Sequence, residues 1–85
     1  MDVGVEISLY PLRDEFAPAI HEFLGRLQQV PALRVSTNSM STQVFGAYEL
    51  VMETLQRELR PTFVELARHG GKAVFVMKVL GPLAA

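Results

Sequence analysis

Val3, Val5, Ile7 and Leu9 alternate with Gly4, Glu6, Ser8 and Tyr10. A period of two predicts a strand with one apolar face. Pro11 lacks a ladder donor and is expected to end it. The period then lengthens: Ile20, Phe23, Leu24 and Leu27 recur at helical spacing, while His21, Glu22, Arg26 and Gln28 fall on a polar face. Asp14 suits the helix cap, and Pro18 is compatible only within the first turn, so the regular helix starts near residues 15–17. Pro31 closes it.

A second alternation sets Leu33, Val35 and Thr37 against Arg34, Ser36 and Asn38. Residues 38–41, Asn-Ser-Met-Ser, are turn chemistry. Extended structure resumes over residues 42–45 and Gly46 closes it, which predicts a hairpin. Residues 49–69 keep one helical phase through Val51, Leu55, Leu59, Phe63 and Leu66. Pro61 lies inside that run, predicting a kinked helix rather than two separate ones. Gly70-Gly71 is a C-terminal stop. Residues 73–80 form a last strand, apolar on both faces apart from Lys78, and Gly81-Pro82 is expected to end it.

The order is βαββαβ. Two right-handed crossovers around a hairpin predict an α+β, ferredoxin-like domain: a four-stranded antiparallel sheet with two helices on one face. Ile20, Phe23, Leu24, Leu27, Leu55, Leu59 and Val5 are its expected core. The first and third strands are expected to be parallel neighbours, leaving Ser8 and Thr42 several residues apart along them. The other sheet face is left uncovered, with Val74, Val76 and Leu80 on the last strand.

Composition sharpens this picture. At 85 residues the chain is one domain, residues 1–85, and its apolar fraction of 49% exceeds what so small a core needs. The surplus points to a second buried surface, expected to be a homodimer or dimer of dimers with Val74, Val76 or Leu80 near the contact. Net charge is −1 with no basic run, which argues against nucleic acid. No apolar run reaches the length of about 18 residues that suggests a membrane span, and no leader pattern opens the chain. The expected setting is the cytoplasm. Cysteine is absent, excluding disulfides and thiolate chemistry. His21 and His69 lie on different helices without ligand spacing, so no metal site is expected.

Two stretches remain for chemistry: Ser8-Leu9-Tyr10-Pro11 and Asn38-Ser39-Met40-Ser41-Thr42. As local structure they are a half-exposed strand and a turn. As a site they bring neutral hydroxyls and an amide to a small sheet. Such groups suit the ring nitrogens of an uncharged heterocycle, with Tyr10 or Met40 against its face.

The run EISLYPL at the first strand, followed by MST and FG around the third, resembles the YkoF-like family. The resemblance spans nearly the whole chain in element order. It implies a non-enzymatic protein that binds thiamine or its hydroxymethylpyrimidine moiety, in vitamin transport or storage, with no other cofactor. The family's longer members carry two such domains in one chain; this chain holds one, so two copies would supply what the tandem form encodes once. The resemblance implies Ser8, Tyr10, Ser41 and Thr42 as the principal polar contacts, with Asn38 and Met40 beside them. Glu6 shares the face of Ser8 and suits either an aminopyrimidine or a subunit-interface ion pair. The site is expected on the open sheet face or its edge. Two other readings stay open: a small dimeric ferredoxin-like enzyme, and a regulatory or structural dimer module without a ligand.

Overall fold

The computed structural model describes residues 1–12 and 17–83. Six elements follow in order: β1 (Asp2–Leu12), α1 (Ala17–Gln28), β2 (Arg34–Thr37), β3 (Thr42–Ala47), α2 (Tyr48–Arg68) and β4 (Lys72–Leu83). The sheet order is β2-β3-β1-β4 and every neighbouring pair is antiparallel. This is the expected α+β ferredoxin-like arrangement. One strand direction is corrected, because β1 and β3 run antiparallel and not parallel. The crossover through α1 gives β1 and β2 the same direction. The hairpin then reverses β3, which slots between them. Thr42 therefore pairs with Ile7, next to Ser8 rather than several residues away.

Both helices cover the face that carries Val3, Val5, Ile7 and Val44, and Phe23, Leu27, Val51 and Leu55 complete the core. Leu24 and Leu59 pack against it half-buried. Ile20 is also half-buried.

Strand β1 is not ended by Pro11. It runs on to Leu12, and Pro11 pairs with Ala73 of β4. Pairing with β3 reaches only as far as Ile7, so Pro11 lies where β1 has a single neighbour and its missing donor costs little. Strand β4 likewise passes Gly81 and Pro82 to reach Leu83, opposite Asp2. It is the sheet's outer strand, where proline is tolerated.

Pro18 is the second residue of α1, as its chemistry requires. The proposed cap at Asp14 lies outside the described residues. Helix α2 continues through Pro61, which is exposed, so the carbonyl of Arg57 that loses its helical donor faces solvent. The buried stripe of α2 runs Val51, Leu55, Thr62 and Leu66. At about 100° per residue, Phe63 falls roughly a quarter turn from the middle of that stripe. It is 46% exposed and packs its ring edge on Phe75, with centroids 5.3 Å apart. Thr62 takes the central place instead.

Arg26 is not on a solvated face. Its guanidinium donates to Glu58 Oε1 at 2.9 Å, to the Glu58 carbonyl at 3.1 Å and to Thr62 Oγ1 at 3.0 Å. One side chain thus ties α1 to α2 beside the proline. Gly70 adopts φ +68°, which a side chain would strain, and Gly71 N–H returns to the Leu66 carbonyl at 2.8 Å to close the helix.

Candidate functional site

The mismatch in strand lengths makes the site. Beyond Ile7, β1 pairs with β4 alone, because β3 begins at Thr42. Among the described residues, that side of β1 is bordered by the turn of residues 38–41 and by α1. Between them lies a depression of about 220 Å³. Its apolar base is Ile7, Leu9, Ile20, Phe23 and Leu24, and its polar rim is Ser8, Tyr10, Thr37, Asn38, Ser41 and Thr42, with Met40 at the mouth. Phe23 also stands edge-on to Phe75 at 5.1 Å, which fixes the ring that forms part of the base.

The turn is held by its own side chains. Asn38 Oδ1 accepts from the backbone N–H of Met40 at 2.8 Å and of Ser41 at 3.1 Å. Asn38 N–H donates to the Ser41 carbonyl at 3.1 Å. This is the side-chain-to-backbone pattern that makes asparagine a turn residue. It leaves the Asn38 amide NH2 as the group able to turn toward a ligand. The Thr37 and Thr42 hydroxyls lie 3.0 Å apart. One donates to the other, so one proton and several lone pairs remain between them. Thr42 is buried and Thr37 exposed, so the pair runs from the core to the mouth.

Six of the seven residues singled out from the sequence border this one depression: Ser8, Tyr10, Asn38, Met40, Ser41 and Thr42. They do not assemble on the open sheet face. Thr42 shares the helix-covered side with Val44, and the cavity base is built from helix-side residues. Ser8 and Tyr10 alternate toward the open face and meet the depression at the unpaired edge of β1. Met40 is 84% exposed, so it flanks the mouth rather than forming a buried wall.

Glu6 stands apart. It borders a different depression, of about 290 Å³, on the open face between Gly4, Gln43, Phe45, Lys78 and Leu80. There the Phe45 ring covers Gly4 so closely that a β-carbon at position 4 would sit 2.8 Å from it. The Arg34 guanidinium lies 4.8 Å above the same ring. Glu6 Oε1 is 3.7 Å from Lys78 Nζ, an exposed pair of small energetic weight.

Sequence reasoning missed Thr37 and the apolar base. The hairpin itself carried the signal for Thr37: residues 37 and 42 close a four-residue turn, so two threonines there must face each other. In the base, Ile20, Phe23 and Leu24 are expected as core, and Ile7 and Leu9 only as the apolar face of the first strand. Among the described residues no three histidine or carboxylate side chains converge as metal ligands, and no helix is long and apolar enough to cross a membrane.

No family model and no curated protein matches the sequence. Solved structures do share the fold. Protein SP2199 of Streptococcus pneumoniae is 15% identical with a TM-score of 0.85, covering 98% of this chain and 89% of its own. The hypothetical protein MJ1052 of Methanocaldococcus jannascii is 16% identical with a TM-score of 0.80, covering 99% and 84%. A third, TM0486 of Thermotoga maritima, is described as a candidate thiamine biosynthesis/salvage protein. It is 15% identical with a TM-score of 0.80, covering 93% of this chain and 82% of that one. At such identities the likeness is one of fold.

Proposed function

We propose that this chain is a non-enzymatic binding protein for thiamine or its hydroxymethylpyrimidine moiety, acting in vitamin transport or storage. The observation that carries the reading is the depression between α1 and the turn of residues 38–41, where an apolar base meets a rim of neutral donors and acceptors. A pyrimidine ring needs that combination: apolar walls for its faces, and hydroxyl or amide groups that donate or accept at its edge. At about 220 Å³ the space is smaller than the roughly 300–1,000 Å³ of drug-sized pockets. It suits one ring, with the rest of a thiamine molecule extending through the mouth past Met40 and Tyr10. The thiamine-related description of TM0486 agrees with this ligand class.

Binding, rather than catalysis, is the reading because, among the described residues, the rim offers hydroxyls, a phenol and an amide and no strong acid or base pair. The Thr37–Thr42 pair is the central recognition group. We further propose that a second copy covers the open sheet face, where Val74, Val76 and Leu80 are 45%, 48% and 66% exposed.

Thermal melting with thiamine, hydroxymethylpyrimidine and unrelated heterocycles tests the ligand class. A true ligand at a hundred times its dissociation constant adds about 2.7 kcal/mol of stability. Stabilisation by the two pyrimidines alone is the expected outcome. Equal response to all compounds, or to none, contradicts the proposal.

A further inference from the structure

We propose that Glu6 is a positioning residue: from the sheet face opposite the depression, it fixes the turn that forms the depression's rim. Glu6 is the one sequence-selected residue that does not border the depression. It nevertheless reaches it through one intermediary. The Ser41 hydroxyl donates to Glu6 Oε2 at 3.1 Å, and Gln43 Nε2 donates to the same Ser41 oxygen at 2.8 Å. Glu6 and Gln43 are opposite each other on β1 and β3, so the sheet itself holds both ends of this link.

The hydrogen-bond capacity of Ser41 then decides its role. A serine hydroxyl has one proton and two lone pairs. The proton is committed to a carboxylate and one lone pair to an amide. A ligand that took the proton would break a charge-assisted bond. Ser41 is therefore a strut between sheet and turn, and donation to a ligand falls to Thr37–Thr42 and Asn38. On the turn side, the Ser41 N–H is held by Asn38 Oδ1 and the Ser41 carbonyl by Asn38 N–H. Fixing Ser41 thus fixes Asn38, Met40 and the line of the rim. A carboxylate two residues before Ser8 governs a turn more than thirty positions later in the chain.

The ligand part of this inference rests on the proposed pocket; the structural part does not. Amide hydrogen exchange on the ligand-free protein reads the turn directly. Glu6→Ala is expected to speed exchange at Met40 and Ser41 by about tenfold while Val5 and Val44 amides stay as in the wild type. Ser41→Ala should do the same, and adding Glu6→Ala to it should change nothing further. Lys78→Ala, which removes the other neighbour of Glu6, should leave the turn unaltered. Calorimetry with hydroxymethylpyrimidine should show affinity weakened about tenfold in Glu6→Ala and mostly restored in Glu6→Gln, which keeps an acceptor for Ser41. Wild-type exchange at Met40 and Ser41 in Glu6→Ala overturns the inference. So does loss of affinity in Glu6→Gln equal to that in Glu6→Ala with the turn amides unmoved, since Glu6 would then act on the ligand by its charge. A wild-type protein that binds neither pyrimidine overturns the pocket reading, and the exchange rates still decide whether Glu6 positions the turn.

Discussion

Thr37 and Thr42 show how much one hydrogen bond between side chains can settle. Their shared bond leaves one hydroxyl proton to spare within the pair, with the buried partner holding the exposed one in place. Thr42→Val removes that partner while preserving shape. Calorimetric titration is expected to show pyrimidine affinity reduced about tenfold, the order of one lost neutral hydrogen bond, with the fold kept. Unchanged binding would make the pair a hairpin closure only. A different threonine makes the opposite case. Thr54 is fully buried on α2, and its hydroxyl finds no partner among the described residues. Thr54→Val is expected to raise unfolding free energy by about 1 kcal/mol in chemical denaturation, because an unpaired buried hydroxyl costs about that much. At this scale the sequence was legible for residue types and silent on partners. Asn38 was recognisable as a turn residue, but that its Oδ1 is already occupied follows only from the bonds to residues 40 and 41. Glu6 was rightly placed on the open face by alternation, yet its tie to Ser41 depends on a cross-strand register.

The periodicity of the chain predicted every element in order, and the proline residues marked where it misled. Pro11 and Gly81-Pro82 read as strand ends in the sequence, yet β1 and β4 continue through them. Proline terminates a strand only where its N–H is needed, and these positions lie along strands with a neighbour on one side only. Phe63 keeps the helical phase of the apolar residues of α2, while the geometry of the helix gives the buried place to Thr62. A polar residue can take it because Arg26 satisfies its hydroxyl at 3.0 Å. That clamp holds α1, and α1 supplies Ile20, Phe23 and Leu24 to the depression. Arg26→Met keeps most of the side chain's bulk and removes its donors. Denaturant unfolding is expected to show a loss of about 2 kcal/mol, in line with partly buried hydrogen bonds to a charged group. A change within about 0.5 kcal/mol, typical of surface substitutions, would mean that packing alone holds the helices together.

For the whole molecule, the surplus of apolar residues noted in the composition has a definite location. Val74, Val76 and Leu80 crowd the open face of β4, and Met77 and Val79 on its other face are also more than 40% exposed. A twelve-residue outer strand of this kind invites pairing or coverage. Light scattering at micromolar concentration is expected to give at least twice the mass of one chain. Val76→Lys should shift the population toward monomer while leaving the helix-side base of the depression intact. A monomeric wild type would contradict the assembly. The topology was legible because alternating periods leave few ways to wind such a chain. The direction of β3 relative to β1 was misjudged, although the same winding determines it, and that error alone separated Ser8 from Thr42.

The central claim is that a pyrimidine sits between α1 and the turn of residues 38–41. A map of backbone amide chemical shifts during titration with hydroxymethylpyrimidine tests it most directly. The largest changes are predicted at residues 8–10, 20–24 and 37–42, with Phe45, Lys78 and Leu80 on the open face unmoved. Changes centred on Gly4, Phe45 and Leu80 instead, or no saturable change at any residue, would contradict the account.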